Sequence, residues 1–326
     1  MKEKIIRFLR IILFDAFKSR WAWRRVPTQW YFDYMNYLRR KRFKENPILP
    51  DCYNAKLEKR ATNEKYKRTL IISFPHMYHY NFLTYLENFD CLYFSPKEMN
   101  YFMRDVSALL NYTKKIILDN GYNRVVCLGL SKAGTIAIIY ASALADKLKF
   151  IQFYSLSFSG IYKFYPWSLD RHPHYLKLQE IAKSDERVLK NIIKYGDTKK
   201  FLSKKRENVF HYNISGEYEL RDMFNAYVLQ GYCKYLKAFF IECDFHVAVI
   251  NFTFNKKIAN DQKKIKNLMA LTLNNNDIAQ NLSFLSVDHL TNTYMNVRKK
   301  DDKYLLSLNE LIDELITTGK ITSLYK

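Results

Sequence analysis

The chain has only eight glycines in 326 residues, and two of them bracket a serine in the run Gly129-Leu130-Ser131-Lys132-Ala133-Gly134. Arg124 to Gly129 is an apolar, β-branched stretch, and Lys132 to Ala145 carries alanines at 133, 137 and 141. The serine therefore falls on a sharp turn between a buried strand and a helix whose small residues let it approach the sheet. A turn of this kind strains its central residue and requires small neighbours, which Gly129 and Ala133 supply. Ser131 is expected to stand exposed above the strand ends, as a nucleophile for acyl chemistry.

A serine hydroxyl becomes nucleophilic beside a base that an acid orients. On a sheet of this kind the chain order is serine, acid, histidine. The strand Asn208 to Ser215 runs into Gly216-Glu217-Tyr218-Glu219-Leu220-Arg221-Asp222. Glu219 is the first choice of acid and Asp222 the second, because Glu217 directly follows the glycine turn and is expected to face solvent. A helical run, a strand at Ala238 to Cys243 and then Asp244-Phe245-His246 follow, so His246 is the expected base. His289 is the rival, 70 residues after Glu219. His211 lies inside a strand and reads as core, while His172 and His174 flank Pro173 in a loop. An oxyanion needs N–H donors. Lys132 offers one and His76 or Met77, in the turn after the strand Thr69 to Phe74, the other. The side chains of His76 and His79 read equally well as a solvated loop.

Positioning these groups requires alternating strands and helices, the pattern of an α/β sheet with crossover helices. Strands are expected at Thr69 to Phe74, Asp90 to Phe94, Arg124 to Gly129, Lys149 to Ser155, Asn208 to Ser215 and Ala238 to Cys243. Helices are expected at Glu98 to Asn120, stopped by Gly121, and at Lys132 to Ala145. An insertion at about 156–207, helical around Tyr175 to Lys194, has the position of a lid. Its aromatic opening presents Tyr162, Tyr165 and Trp167 as candidate substrate-stacking rings. C-terminal helices are expected within 256–326, near Lys256 to Ala270 and Tyr304 to Thr318. The prolines of Asn46-Pro47-Ile48-Leu49-Pro50-Asp51 mark a connector, dividing an arm at 1–50 from a catalytic domain at 51–326.

Composition excludes disordered, collagenous and low-complexity classes, with 48% apolar and 16% aromatic residues. Lys and Arg number 53 against 32 Asp and Glu, a net charge of +21, which calls for an anionic partner. The first 44 residues hold 13 basic and three acidic residues, and Ile5 to Phe17 repeats apolar residues at helical spacing. That is the pattern of a basic amphipathic helix, on the inner leaflet, packed on the protein itself, or bound directly to a polyanion. Charges interrupt the run and no cleavage site follows, so neither a signal peptide nor a spanning helix is expected. Five scattered cysteines fit a reducing cytoplasm, and no metal-ligand spacing occurs. No D-x-D motif supports a glycosyltransferase, and no nucleic-acid-binding motif accompanies the charge.

The elbow at 129–134, the turn Gly216 to Asp222 and His246 resemble the α/β-hydrolase-fold O-acetyltransferases of bacterial surface polysaccharide biosynthesis. This group is similar in turn to the glycan-acetylating component of accessory Sec systems, with its Ser, Glu or Asp, and His triad. The gaps of 88 residues from Ser131 to Glu219 and 27 to His246 agree with that pattern; Ala133, in place of a glycine, departs from it. The resemblance covers about Thr69 to Val249. It implies an α/β-hydrolase-like, mostly parallel sheet with flanking helices and acetyl transfer from acetyl-CoA through Ser131, without a metal. The implied acceptor is an anionic polysaccharide at the cytoplasmic face of the membrane. An esterase, deacetylase or thioesterase of the same fold, and a non-catalytic membrane-peripheral assembly protein, are the alternatives.

Overall fold

The structure, a computed structural model, describes residues 49–75, 86–167, 173–233, 235–243 and 307–324, with His246, Ala248, Val249, Phe252, Asp288, Thr291 and Asn292. Seven strands form one sheet: β1 (Tyr53–Glu58), β2 (Thr69–Phe74), β3 (Asp90–Pro96), β4 (Arg124–Leu130), β5 (Gln152–Phe158), β6 (Val209–Gly216) and β7 (Leu236–Ile241). Their order is β1-β3-β2-β4-β5-β6-β7. Only the edge pair β1 and β3 is antiparallel; all other pairs are parallel.

Both faces of the sheet are covered, which is why its central strands read as unbroken apolar runs rather than alternating ones. Leu70, Ile72 and Phe74 of β2 and Val125 and Cys127 of β4 point into one core, with helices α1 (Val106–Asp119) and α2 (Lys132–Lys147). Ile71, Val126 and Leu128 point into the other, covered by α7 (Leu308–Thr318), whose Leu308, Leu311, Ile312 and Leu315 form one helical stripe. Ser307 and Glu310 close a reciprocal capping box at the start of that helix. Between β5 and β6 lie α3 (Pro173–Ser184), α4 (Glu186–Tyr195) and α5 (Thr198–Leu202), and α6 (Leu220–Tyr232) joins β6 to β7.

Several elements depart from the sequence expectation. The helix expected from Glu98 begins only at Val106, because Tyr101, Phe102 and Asp105 adopt positive φ (52°, 56° and 51°), which a right-handed helix cannot contain. Its stop is the expected one: Gly121 has φ 67°, and the Gly121 and Tyr122 N–H groups donate to Leu118 and Ile117 carbonyls. The stretch expected as one helix around 175–194 breaks at Asp185, whose side chain accepts from the Arg187 and Val188 N–H groups and starts α4. β5 starts three residues later than expected, after a turn in which the Ile151 N–H donates to the Leu148 carbonyl. The edge strand β1 was not expected at all. Residues 1–48 of the arm, and the helical run expected at Lys256 to Ala270, lie outside the described residues. Among the described residues no helix is long and apolar enough to cross a membrane.

Candidate active site

β2 and β3 lie on one side of β4's axis of the sheet, β5 to β7 on the other. The chain thus reverses its winding direction between β2 and β4, and open α/β sheets bind ligands outside the carboxyl ends of the strands at such a point. Ser131 stands there, between the last residue of β4 and the first of α2, with φ 56° and ψ −121°. Positive φ at a non-glycine residue costs on the order of 1–3 kcal/mol and persists only where the surroundings impose it. The Ser131 N–H donates to the Phe158 carbonyl at 2.7 Å, and its own carbonyl accepts from the Thr135 N–H at 3.2 Å, so both sides of the strained residue are tied.

The small residues around the serine act differently from expectation in one respect. A Cβ on Gly129 would lie 2.2 Å from the Ala133 carbonyl oxygen, so no larger residue fits. Ala133 itself is buried and its methyl is accommodated in the core. The second close approach is instead at Gly134, where a Cβ would meet the Ser157 hydroxyl at 2.5 Å and the Phe158 carbonyl oxygen at 3.1 Å. Alanine for glycine at 133 is therefore no obstacle to the elbow.

His246 reaches the serine. Its Nε2 lies 2.8 Å from Ser131 Oγ and its Nδ1 lies 2.6 Å from Asp222 Oδ1. A carboxylate only accepts, so Nδ1 carries the hydrogen and Nε2 presents its lone pair to the serine O–H. The exposed serine that the sequence suggested is only 5% exposed, because its hydroxyl turns under the imidazole instead of into solvent.

The acid against the imidazole is Asp222, the second choice in the sequence, and not Glu219. Glu219 is the N-cap of α6: its Oε2 accepts from the Asp222 N–H at 2.5 Å. Asp222, three residues into the helix, is fully buried on the inner face of α6 with Asn225, Ala226 and Leu229. Glu219 remains close, since one side-chain oxygen or nitrogen each from Glu219, Asp222 and His246 lie within 4.8 Å of one another. Burial, and next the Asp222 charge, push the Glu219 carboxyl above the ordinary glutamate value, while the Asp222 N–H and the imidazole act against them.

Of the expected oxyanion donors, Lys132 is the first residue of α2, where a helix's opening N–H groups have no intrahelical acceptor to serve. Its ammonium stands over the Tyr101 ring, 4.8 Å from the centroid. Tyr101 carries no signal in the sequence, where it falls inside the helix expected from Glu98. Phe74 is paired with Gly129, which brings the chain after β2 beside the elbow; His76 and Met77 lie outside the described residues. So does His289.

The three insertion aromatics are all half-buried. Tyr165 and Trp167 meet edge to face at 5.5 Å and pack against the core, whereas Tyr162 meets Phe224 of α6 edge to face at 5.9 Å. Thr135 and Asn225 hold this segment between α2 and α6. The Thr135 hydroxyl donates to the Ile161 carbonyl, and Asn225 Oδ1 accepts from the Tyr162 N–H. His211 is the core residue expected, bonded to Ser155 and Ser142, and burial pushes its imidazole down to about 3.

The elbow after a central parallel strand, with helices on both faces, is the α/β-hydrolase-like fold that the resemblance implied. Among solved structures the chain is similar to the capsule O-acetyltransferase of Neisseria meningitidis serogroup A, at 14% identity and TM-score 0.42, over 60% of this chain and 85% of that one. A mutant of that enzyme is solved in complex with CoA. It is also similar to a lipase-esterase related protein from Clostridium acetobutylicum, at 15% identity and TM-score 0.40, over 60% and 92%. A third likeness is an α/β-hydrolase enzyme from a lagoon-sediment metagenome, at 14% identity and TM-score 0.38, over 72% and 98%. No protein-family model and no curated protein matches the chain.

Proposed function

We propose that the protein is a serine-dependent O-acetyltransferase, moving acetyl from acetyl-CoA through an acetyl-serine to a sugar hydroxyl of an anionic surface polysaccharide. The observation that carries the acyl chemistry is the unbroken line from Asp222 through His246 to the strained Ser131, with contacts of 2.6 and 2.8 Å. The acetyl donor and the glycan acceptor come from the motif resemblance.

In the first half-reaction Ser131 Oγ attacks the thioester carbonyl while its proton passes to His246 Nε2. Asp222 holds the imidazole's tautomer and stabilises the imidazolium. The backbone N–H of Lys132 supports the oxyanion. Collapse breaks the carbon–sulfur bond, and the imidazolium returns the proton to the departing thiolate. In the second, a sugar hydroxyl loses its proton to the same nitrogen and attacks the acetyl-serine, and Ser131 recovers its proton. Tyr162, Tyr165 and Trp167 are the rings assigned to the acceptor, and the basic residues 1–44 to the membrane's inner leaflet.

The test is to incubate the protein with labelled acetyl-CoA, with and without anionic polysaccharides. Acetyl transferred to glycan, abolished in Ser131→Ala, is the expected result. Acetate released at the same rate with or without acceptor would assign a hydrolase instead. Failure of a fluorophosphonate to label Ser131, together with no acyl turnover, would end the enzymatic reading.

A further inference from the structure

Asp222 has two carboxylate oxygens, and the imidazole uses one. Oδ2 is buried and meets no hydrogen-bond partner among the described residues, although Asp222 has no exposure to water at all. A buried anionic oxygen without a donor is costly, so native structures rarely leave one unsatisfied. Among the described residues Glu219 is close enough to supply a donor, since one side-chain atom each of Glu219, Asp222 and His246 lie within 4.8 Å of one another. Glu219, at the N-cap of the same helix, uses Oε2 to accept the Asp222 N–H and has a second oxygen, Oε1, in hand. Two ionised carboxylates in this space would repel, and burial would penalise both. A single proton removes the repulsion and satisfies the oxygen together.

We propose that Glu219 is a positioning residue, held as the neutral carboxylic acid while His246 is neutral, that donates from Oε1–H to Oδ2 of Asp222. The line is then Glu219, Asp222, His246, Ser131. Among the described residues, the titratable groups facing Glu219 are Asp222 on its own helix and His246 from the segment after β7; Ser131, at the head of α2, bonds that imidazole through its hydroxyl. Asp222 is the carboxylate that accepts the imidazole N–H, at 2.6 Å, whereas Glu219 accepts the backbone N–H of Asp222. Burial and the Asp222 charge favour the proton on Glu219. No proton leaves Glu219 during turnover; it locks the Asp222 rotamer so that Oδ1 stays on Nδ1.

This inference rests on the acyl-transfer reading, and the experiment separates the two. Full-length Glu219→Gln, Glu219→Ser and Ser131→Ala are compared with wild type for hydrolysis of p-nitrophenyl acetate across pH, with the thermal transition as a check of folding. Gln keeps both functions of a neutral acid, accepting the Asp222 N–H and donating to Oδ2. Ser keeps the cap but is too short to reach Oδ2. Gln is expected within about threefold of wild-type kcat and Ser about tenfold or more below it, the scale of one lost hydrogen bond. Infrared difference spectra should show a protonated-carboxyl C=O band in wild type that Gln removes. A Gln variant as impaired as Ser, a Ser variant equal to wild type, or no such band would overturn the inference. Activity retained in Ser131→Ala would instead overturn the acyl-transfer reading, and the infrared band would still decide the protonation of Glu219.

Discussion

Replacing Asp222 by Asn tests the line of contacts at the point where geometry and sequence disagreed about the acid. The side chain is fully buried and hydrogen-bonded to His246 Nδ1 at 2.6 Å, so an amide of the same shape takes its place without opening a cavity. An amide that turns its NH2 toward Nδ1 forces the imidazole's hydrogen onto Nε2. The atom facing Ser131 Oγ at 2.8 Å then becomes a donor, and the serine has no base. A wrong tautomer in a site of this construction lowers kcat by about 10⁴, or about 5.4 kcal/mol of transition-state stabilisation. The assay is the pre-steady-state rate of Ser131 acetylation by p-nitrophenyl acetate, together with the rate of fluorophosphonate labelling. Both should fall together, and the thermal transition should not, because the change also removes a buried charge. An Asp222→Asn enzyme within tenfold of wild type would show that another group orients the imidazole, and the assignment of Asp222 would have to be abandoned.

Two stability measurements follow from other parts of the fold. Gly129→Ala would drive a methyl into the Ala133 backbone and should cost about 3 kcal/mol, whereas Gly231→Ala, on an open stretch of α6, should add about 0.5–1 kcal/mol; urea unfolding of the two variants gives the comparison. His211, buried first and foremost and secondarily repelled by Arg206, has its imidazole held at about 3. It stays neutral in the fold while the unfolded chain takes up a proton near pH 6.5, so its contribution is intact above that pH and is lost as pH falls toward 3. Between pH 7.5 and 5 the loss should be about 2 kcal/mol, and it should disappear in His211→Asn; an identical pH slope in the two proteins would contradict it.

What could be read along the chain was whatever depends on near neighbours. The elbow at Ser131 was legible because its steric demand falls on residues within a few positions, and Gly129 meets it visibly. The central strands were legible because burial on both faces leaves uninterrupted apolar runs, as in Thr69–Phe74 and Arg124–Leu130. Gly121 marked its helix end for the same local reason. The edge strand β1 gave no such run, since a strand of mixed residues is made by its partner β3 and not by its own sequence. Likewise the left-handed residues at 101, 102 and 105 are held by long-range packing, including Tyr53 stacked on Phe102.

The acid could not be chosen from the sequence, because Glu219 and Asp222 are three residues apart at the head of one helix and both carry the right chemistry. Ser131 and His246 were legible as candidates from local patterns, and the order serine, acid, histidine from the fold class those patterns implied. Which carboxylate meets the imidazole depends on how α6 is rotated when it docks on β6 and β7. Successive helical residues turn by about 100°, so one carboxylate is left to cap the N-terminus while the other is carried inward. That rotation is fixed by the burial of Ala226 and Leu229 and by where the chain returns with His246, both of them contacts between segments that no local reading contains.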